Sequence, residues 1–177
     1  MNASGRPSRD EVAVFYHGYI DRCEGDDLFQ ALDRATLAMK DVVGHIPPDA
    51  ADHRYAVGKW SIKEVIQHVI DAERVFAYRA LCFARNDATT LPAFDEDSYA
   101  PASQAGRRAL PDLMDEHDAV RRSTILLFRS FTPEMLLRDG KAGTGRMTVR
   151  GTGWTIAGHA LHHVHVIGDR YLHTPQV

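Results

Sequence analysis

Periodicity is the first constraint on this chain. In WSIKEVIQHVIDAERVFAYRALCFAR, residues 60–85, Ile62, Val65, Ile66, Val69, Ala72, Val75 and Phe76 recur at intervals of three and four. That is the spacing of one helix face and not the alternation of a strand. DDLFQALDRATLAMKDVVGHI repeats the pattern with Leu28, Leu32, Ala35, Met39 and Val42. A third run extends from about Gln104 to Phe131 and carries Leu110, Leu113, His117, Val120, Ile125 and Phe128. A fourth starts at Thr148 and runs through Leu172, ended by Pro175.

Punctuation agrees with four helices. Asp26 or Asp27 can cap the first, and Pro47 and Pro48 end it. Ser61 and Glu64 form an S-x-x-E capping box, with Trp60 placed as a hydrophobic staple. Thr132-Pro133-Glu134 predicts a short extra helix. RDGKAGTGRM reads as a glycine-rich loop, and the stretch from Asn86 to about Ala102 as one long connection. Gly151, Gly153 and Gly158 weaken the last helix by roughly 1 kcal/mol each relative to alanine, which packing must offset. The expectation is an all-α four-helix bundle with essentially no sheet, residues 26–177 forming the domain and 1–25 an N-terminal extension.

Composition narrows the function classes. The 177 residues carry a net charge of −3, so no basic field attracts nucleic acid or an anionic membrane. No stretch has the roughly 20 apolar residues of a membrane span. The opening residues hold no apolar run of signal-peptide length. Cys23 and Cys82 form no CxxC pair. A cytoplasmic location is the expectation.

GHALHHVHVIGDRY, residues 158–171, holds four of the ten histidines. His159 and His163 stand four apart, one above the other on a helix, where two imidazoles can share a metal ion. His162 and His165 point away from that line. His68 stands mid-helix beside Val65, Ile66 and Val69, so its imidazole also turns inward and needs a partner. Asp71, three residues on, is the candidate to accept a hydrogen bond from the other His68 nitrogen and orient the ring. Three neutral imidazoles, His68, His159 and His163, leave a coordination position open, the pattern of a catalytic site. The set suits zinc, nickel, iron, copper or cobalt and does not choose among them. The expectation is a divalent ion, zinc or nickel first, with iron, cobalt, manganese or copper as alternatives. His117 is a lesser candidate, and His17, His45, His53 and His173 fall near element ends or in loops.

Around this site, Tyr55, Glu73 or Arg170 could assist from a cleft edge. Arg170, seven residues beyond His163 and nearly on its face, is the candidate contact for an anionic substrate. Arg138, Lys141, Arg146 and Arg150 offer a second anion site.

Three segments carry a family resemblance. KWSIKEVIQHVIDAERVFAYRA, with Trp60 eight residues before His68, is similar to the second helix of the DinB/YfiT-like superfamily. AGHALHHVHVI resembles its last helix, whose usual form is GHxxHH, and LPAFDEDSYA resembles its LPgFDeD segment. The resemblance covers about Asp26 to Leu172. It implies a four-helix bundle of rearranged connectivity, a homodimer, and a divalent metal on three histidines that fall at His68, His159 and His163. It further implies a metal-dependent hydrolase, or a transferase using a low-molecular-weight thiol, acting on a small molecule. The alternative is a non-catalytic, metal-binding, stress-associated dimer. RVFAYRALCF, residues 74–83, offers apolar groups for a partner surface.

Overall fold

The computed structural model describes residues 3–47 and 49–172. The readings of Pro48, His173 and Pro175 lie outside them. Among the described residues, seven α-helices and one hairpin follow in order: α1 His17–Ile20, α2 Leu28–Gly44, α3 Ile62–Ala84, α4 Glu96–Ala102, α5 Leu110–Arg129, α6 Pro133–Leu137, β1 Asp139–Ala142, β2 Gly145–Thr148 and α7 Val149–Ile167. The long helices α2, α3, α5 and α7 make a four-helix bundle.

Their ends form where the side chains dictate. The Asp27 carboxylate accepts from Gln30 N at 2.9 Å. At α3 the capping box closes, with Glu64 N donating to Ser61 Oγ at 3.3 Å and Ser61 N to Glu64 Oε2 at 2.7 Å. Thr148 Oγ1 accepts from Gly151 N at 3.0 Å and starts α7. At its far end α7 continues as a π-helical turn, Gly168–Leu172. There the Tyr171 hydroxyl donates to Trp60 O at 2.6 Å and ties α7 to the entry of α3.

Helix α7 is the central element, packed on α1, α2 and α3. From Gly151 through Ala160 every residue is buried. Small residues make this possible. A Cβ on Gly153 would meet Phe128 at 2.7 Å and Leu28 at 2.8 Å, and one on Gly151 would meet Val12 at 2.7 Å. Close approach therefore supplies the packing that offsets three helix-weakening glycines. Two apolar clusters fill the bundle. One gathers Leu28, Phe83, Phe128 and Trp154, the other Met39, Ile62, Ile66, Leu113 and Ile167.

The structure differs from expectation at three places. RDGKAGTGRM is a two-stranded antiparallel hairpin with Asp139 opposite Thr148, and not a loop. Its strands are too short to show alternation; tertiary contacts hold them. Val12 bridges to Met147 and Leu91 to Ala142, and the Phe83 ring lies where a Gly140 Cβ would be. Gly143 turns the hairpin at φ +57. The third long helix begins at Leu110 rather than near Gln104, because Pro111 fits only a first turn and Gln104 is left-handed at φ 51. The long connection ends in α4, capped by Asp95. Within RVFAYRALCF, Phe76, Cys82 and Phe83 are buried in the bundle, whereas Val75 and Leu81 are part-exposed and Tyr78 is exposed.

Residues 3–23 are not peripheral. Val12, Ile20 and Cys23 are buried, and α1 lies on α7. Among the described residues no helix is long and apolar enough to cross a membrane.

Candidate metal centre

Helix geometry brings the three histidines together. His159 and His163 project from one face of α7, and His68 meets them from α3. His68 Nε2 lies 3.0 Å from His159 Nε2, and His163 Nε2 lies 3.1 Å from the same atom. One nitrogen from each ring falls within 4.8 Å of the other two, and all three residues are buried. No other histidine, cysteine or carboxylate joins such a group among the described residues.

The arrangement fits a cation better than a hydrogen-bond network. A ring nitrogen has one in-plane lone pair or one N–H, so His159 Nε2 can satisfy only one of its two close neighbours. A cation between the rings would use all three lone pairs. The rings are also held neutral. Burial, then the nearby His162, pushes the His68 pKa down to about 4. Burial, then the neighbouring imidazoles, holds His159 and His163 well below the usual histidine range.

Asp71 does not orient His68. Gln67 Nε2 donates to Asp71 Oδ1 at 3.0 Å, and Arg74 stands 3.7 Å from the same oxygen. Spacings of four and three put Gln67, Asp71 and Arg74 on one strip of α3, which meets Arg108 and Glu116, while His68 lies on the face toward α7. The Nδ1 atoms of His68 and His163 are buried without a hydrogen-bond partner among the described residues. Aromatic rings take over the positioning. Trp60 lies 4.8 Å from the His68 ring, Phe94 stacks parallel to it at 6.2 Å, and Tyr19 stands edge-on to His159 at 5.3 Å.

His162 and His165 stay outside the cluster; His165 Nδ1 instead bonds Leu161 O at 2.7 Å. His117 is buried in α5 and also lies elsewhere. Glu73 is not at a cleft edge. It forms a buried ion pair with Arg121 inside the bundle, Nη2 to Oε2 2.8 Å. Arg170 is exposed on the turn after α7 and lines neither cavity beside the triad. The second anion site does not assemble either. Arg146 pairs with Asp139, Arg150 with Glu11, and Arg138 bonds Ala84 O.

The triad separates two cavities. One, of about 410 Å³, is walled by His68, Ala72, Phe76 and Arg79 of α3, by His159, and by Tyr16 and Tyr19. Phe94, Glu96 and the hairpin turn at Gly143 and Thr144 complete it. The other, about 260 Å³, lies against His163 and includes Tyr55, Trp60, His162 and Tyr171. Tyr19, Arg79, Phe94 and Glu96 are cavity residues that sequence spacing does not assign to the site, although the last three stand within segments that carry the family resemblance. For Arg79 a signal exists, since His68, Ala72, Phe76 and Arg79 follow at intervals of four, four and three along one helix face.

A four-helix bundle whose last helix and second long helix converge three buried histidines on a cavity defines a class of protein. The chain belongs to the DinB superfamily, whose family model matches residues 31–167. Its fold is similar to that of YfiT from Bacillus subtilis, with a TM-score of 0.73 at 15% sequence identity. The match covers 96% of this chain and 95% of that one. YfiT is described as a probable metal-dependent hydrolase with an unusual four-helix bundle topology. No curated protein matches the sequence.

Proposed function

We propose that this chain is a metal-dependent hydrolase of a small molecule, with His68, His159 and His163 holding one divalent ion, zinc or nickel first. One observation carries the reading: three neutral, buried imidazoles converge through Nε2 at the wall of a cavity of about 410 Å³. A divalent ion there supplies Lewis acidity and makes water acidic enough to act as a nucleophile near neutral pH.

The chain's own residues do the rest. Trp60, Phe76 and Phe94 exclude bulk water around His68 and His159. Burial, then the charge of Glu96, raises the Tyr19 pKa above 10.0. Tyr19 therefore keeps its proton at neutral pH and can donate to a substrate oxygen beside His159. Water adds across the scissile bond, and the leaving group departs with a proton.

An open position beside three imidazoles also suits a low-molecular-weight thiol, which a cation stabilises as thiolate. That transferase variant belongs to the same reading. Two buried free thiols, Cys23 and Cys82, accord with a reducing cytoplasm, and a second copy of the chain is the proposed macromolecular partner. The deciding experiment is a panel of esters, amides and phosphoesters, with and without bacillithiol, mycothiol or glutathione. It is run on metal-loaded protein beside His159→Ala. Metal-dependent product release lost in His159→Ala supports the enzyme; bound metal without turnover favours the non-catalytic dimer.

A further inference from the structure

Arg79 is a buried cation without an anion. It is 5% exposed, and Nη2 donates to Pro92 O at 3.0 Å. Among the described residues no carboxylate lies within ion-pair distance of it. Glu96, the one acidic residue on the cavity lining, does not reach it either. A guanidinium has five N–H donors. Beyond the bond to Pro92 O the described residues supply no acceptor for the rest, and no unpaired Arg79 nitrogen is sealed from solvent, so these donors stay open to a ligand in an adjoining cavity.

Its position says which partner. The side chain folds back toward the start of α3, with Cζ 5.4 Å from the Phe76 ring centroid. That centroid lies 6.3 Å from the His159 ring. Arg79, Phe76, His68 and His159 thus line the same cavity, charged at one end, apolar in the middle, imidazole-lined at the other. Arg79 also borders a second cavity, of about 310 Å³, with Pro92, Phe94 and Tyr99.

We propose that this cavity takes a small molecule bearing a carboxylate, which Arg79 grips, joined by a short apolar stem to the reactive group at the histidines. A single guanidinium balances a single negative charge, so a carboxylate fits better than a dianionic phosphate, which would bury an uncompensated charge. Planar donors on one edge of the guanidinium match the two oxygens of a carboxylate. The assignment of the reactive group rests on the metal-site reading above; the carboxylate site rests on Arg79 alone.

Calorimetry separates the two. 4-Phenylbutyrate and its uncharged amide are titrated into the wild-type protein, Arg79→Met, Arg79→Lys and His159→Ala, with metal content measured on each sample. The wild type is expected to bind the acid at least about tenfold more tightly than the amide, the scale of a charged hydrogen bond. Arg79→Met should lose that preference, Arg79→Lys should retain part of it, and both should keep wild-type metal content. In His159→Ala the preference should survive while the metal is lost. Equal binding of acid and amide, no acid binding at millimolar concentration, or an undiminished preference in Arg79→Met overturns the proposal. If Arg79→Met does not fold, a crystal structure of the wild type with 4-phenylbutyrate decides, by whether the carboxylate sits on Arg79. A wild type without metal that still prefers the acid through Arg79 overturns the hydrolase reading and leaves the carboxylate site standing.

Discussion

The carbonyl oxygen of Tyr19 rests against the α-carbon of Gly158, so near that a Cβ at residue 158 would come within 2.0 Å of it. Helix α1 can lie on α7 only because that residue has no side chain. The contact stands one residue before His159, whose ring Tyr19 touches edge-on at 5.3 Å. Gly158→Ala should therefore destabilise the protein although alanine favours a helix by about 1 kcal/mol. We expect a loss of about 2 kcal/mol or more, the scale of overpacking, read as a lower midpoint in urea. A stability equal to or above the wild type would show that α1 is not seated there.

Glu73 and Arg121 tie α3 to α5 inside the bundle. Arg121 Nε lies 2.9 Å from Glu73 Oε1, while Nη1 donates to Leu32 O at 2.7 Å and Thr36 Oγ1 at 2.9 Å. Both side chains are 2% exposed. Arg121→Ala would strand a buried carboxylate, at a cost of about 3–5 kcal/mol. Adding Glu73→Gln to Arg121→Met should recover part of the loss, because no lone charge is then buried. Thermal unfolding of the single and double variants checks this.

Glu11 clamps the N-terminal segment to the start of α7, accepting from Thr148 Oγ1 at 3.0 Å and Arg150 Nε at 2.7 Å. Burial pushes its carboxyl up, but hydrogen bonds from Arg150, Ser8 and Thr148 outweigh burial and hold it at about 2, against 4.5 when free. A depressed pKa stabilises the fold above pH 4.5, and that stabilisation fades as pH falls toward 2. Glu11→Gln should cost about 1 kcal/mol at pH 7 and much less at pH 2. Urea midpoints across this range measure it, and a penalty independent of pH would contradict the clamp.

The four long helices and the three histidines are legible in the sequence because both depend on local spacing. Three- and four-residue apolar intervals fix the inward face, and His68, His159 and His163 lie on it. What depends on distant contacts is not legible. The hairpin at 139–148 has four-residue strands held by Phe83, Val12 and Leu91, none of them near in sequence. Tyr19 reaches His159 across the whole domain. Asp71 shows the opposite hazard, since nearness in sequence suggests a bond to His68, whereas its carboxylate accepts from Gln67 on a different strip of the helix. Arg79 lies on the legible face, but an arginine in an apolar run has no motif to mark it.

Elemental analysis of the purified protein tests the central claim most directly. After reconstitution with zinc or nickel and removal of free ion, the wild type should retain about one equivalent per chain, because the three nitrogens converge on a single point. His68→Ala, His159→Ala and His163→Ala should each lose most of it. His162→Ala and His165→Ala should keep it. A wild type that retains no first-row metal, or a His162→Ala variant that loses the ion while His163→Ala keeps it, would contradict the site.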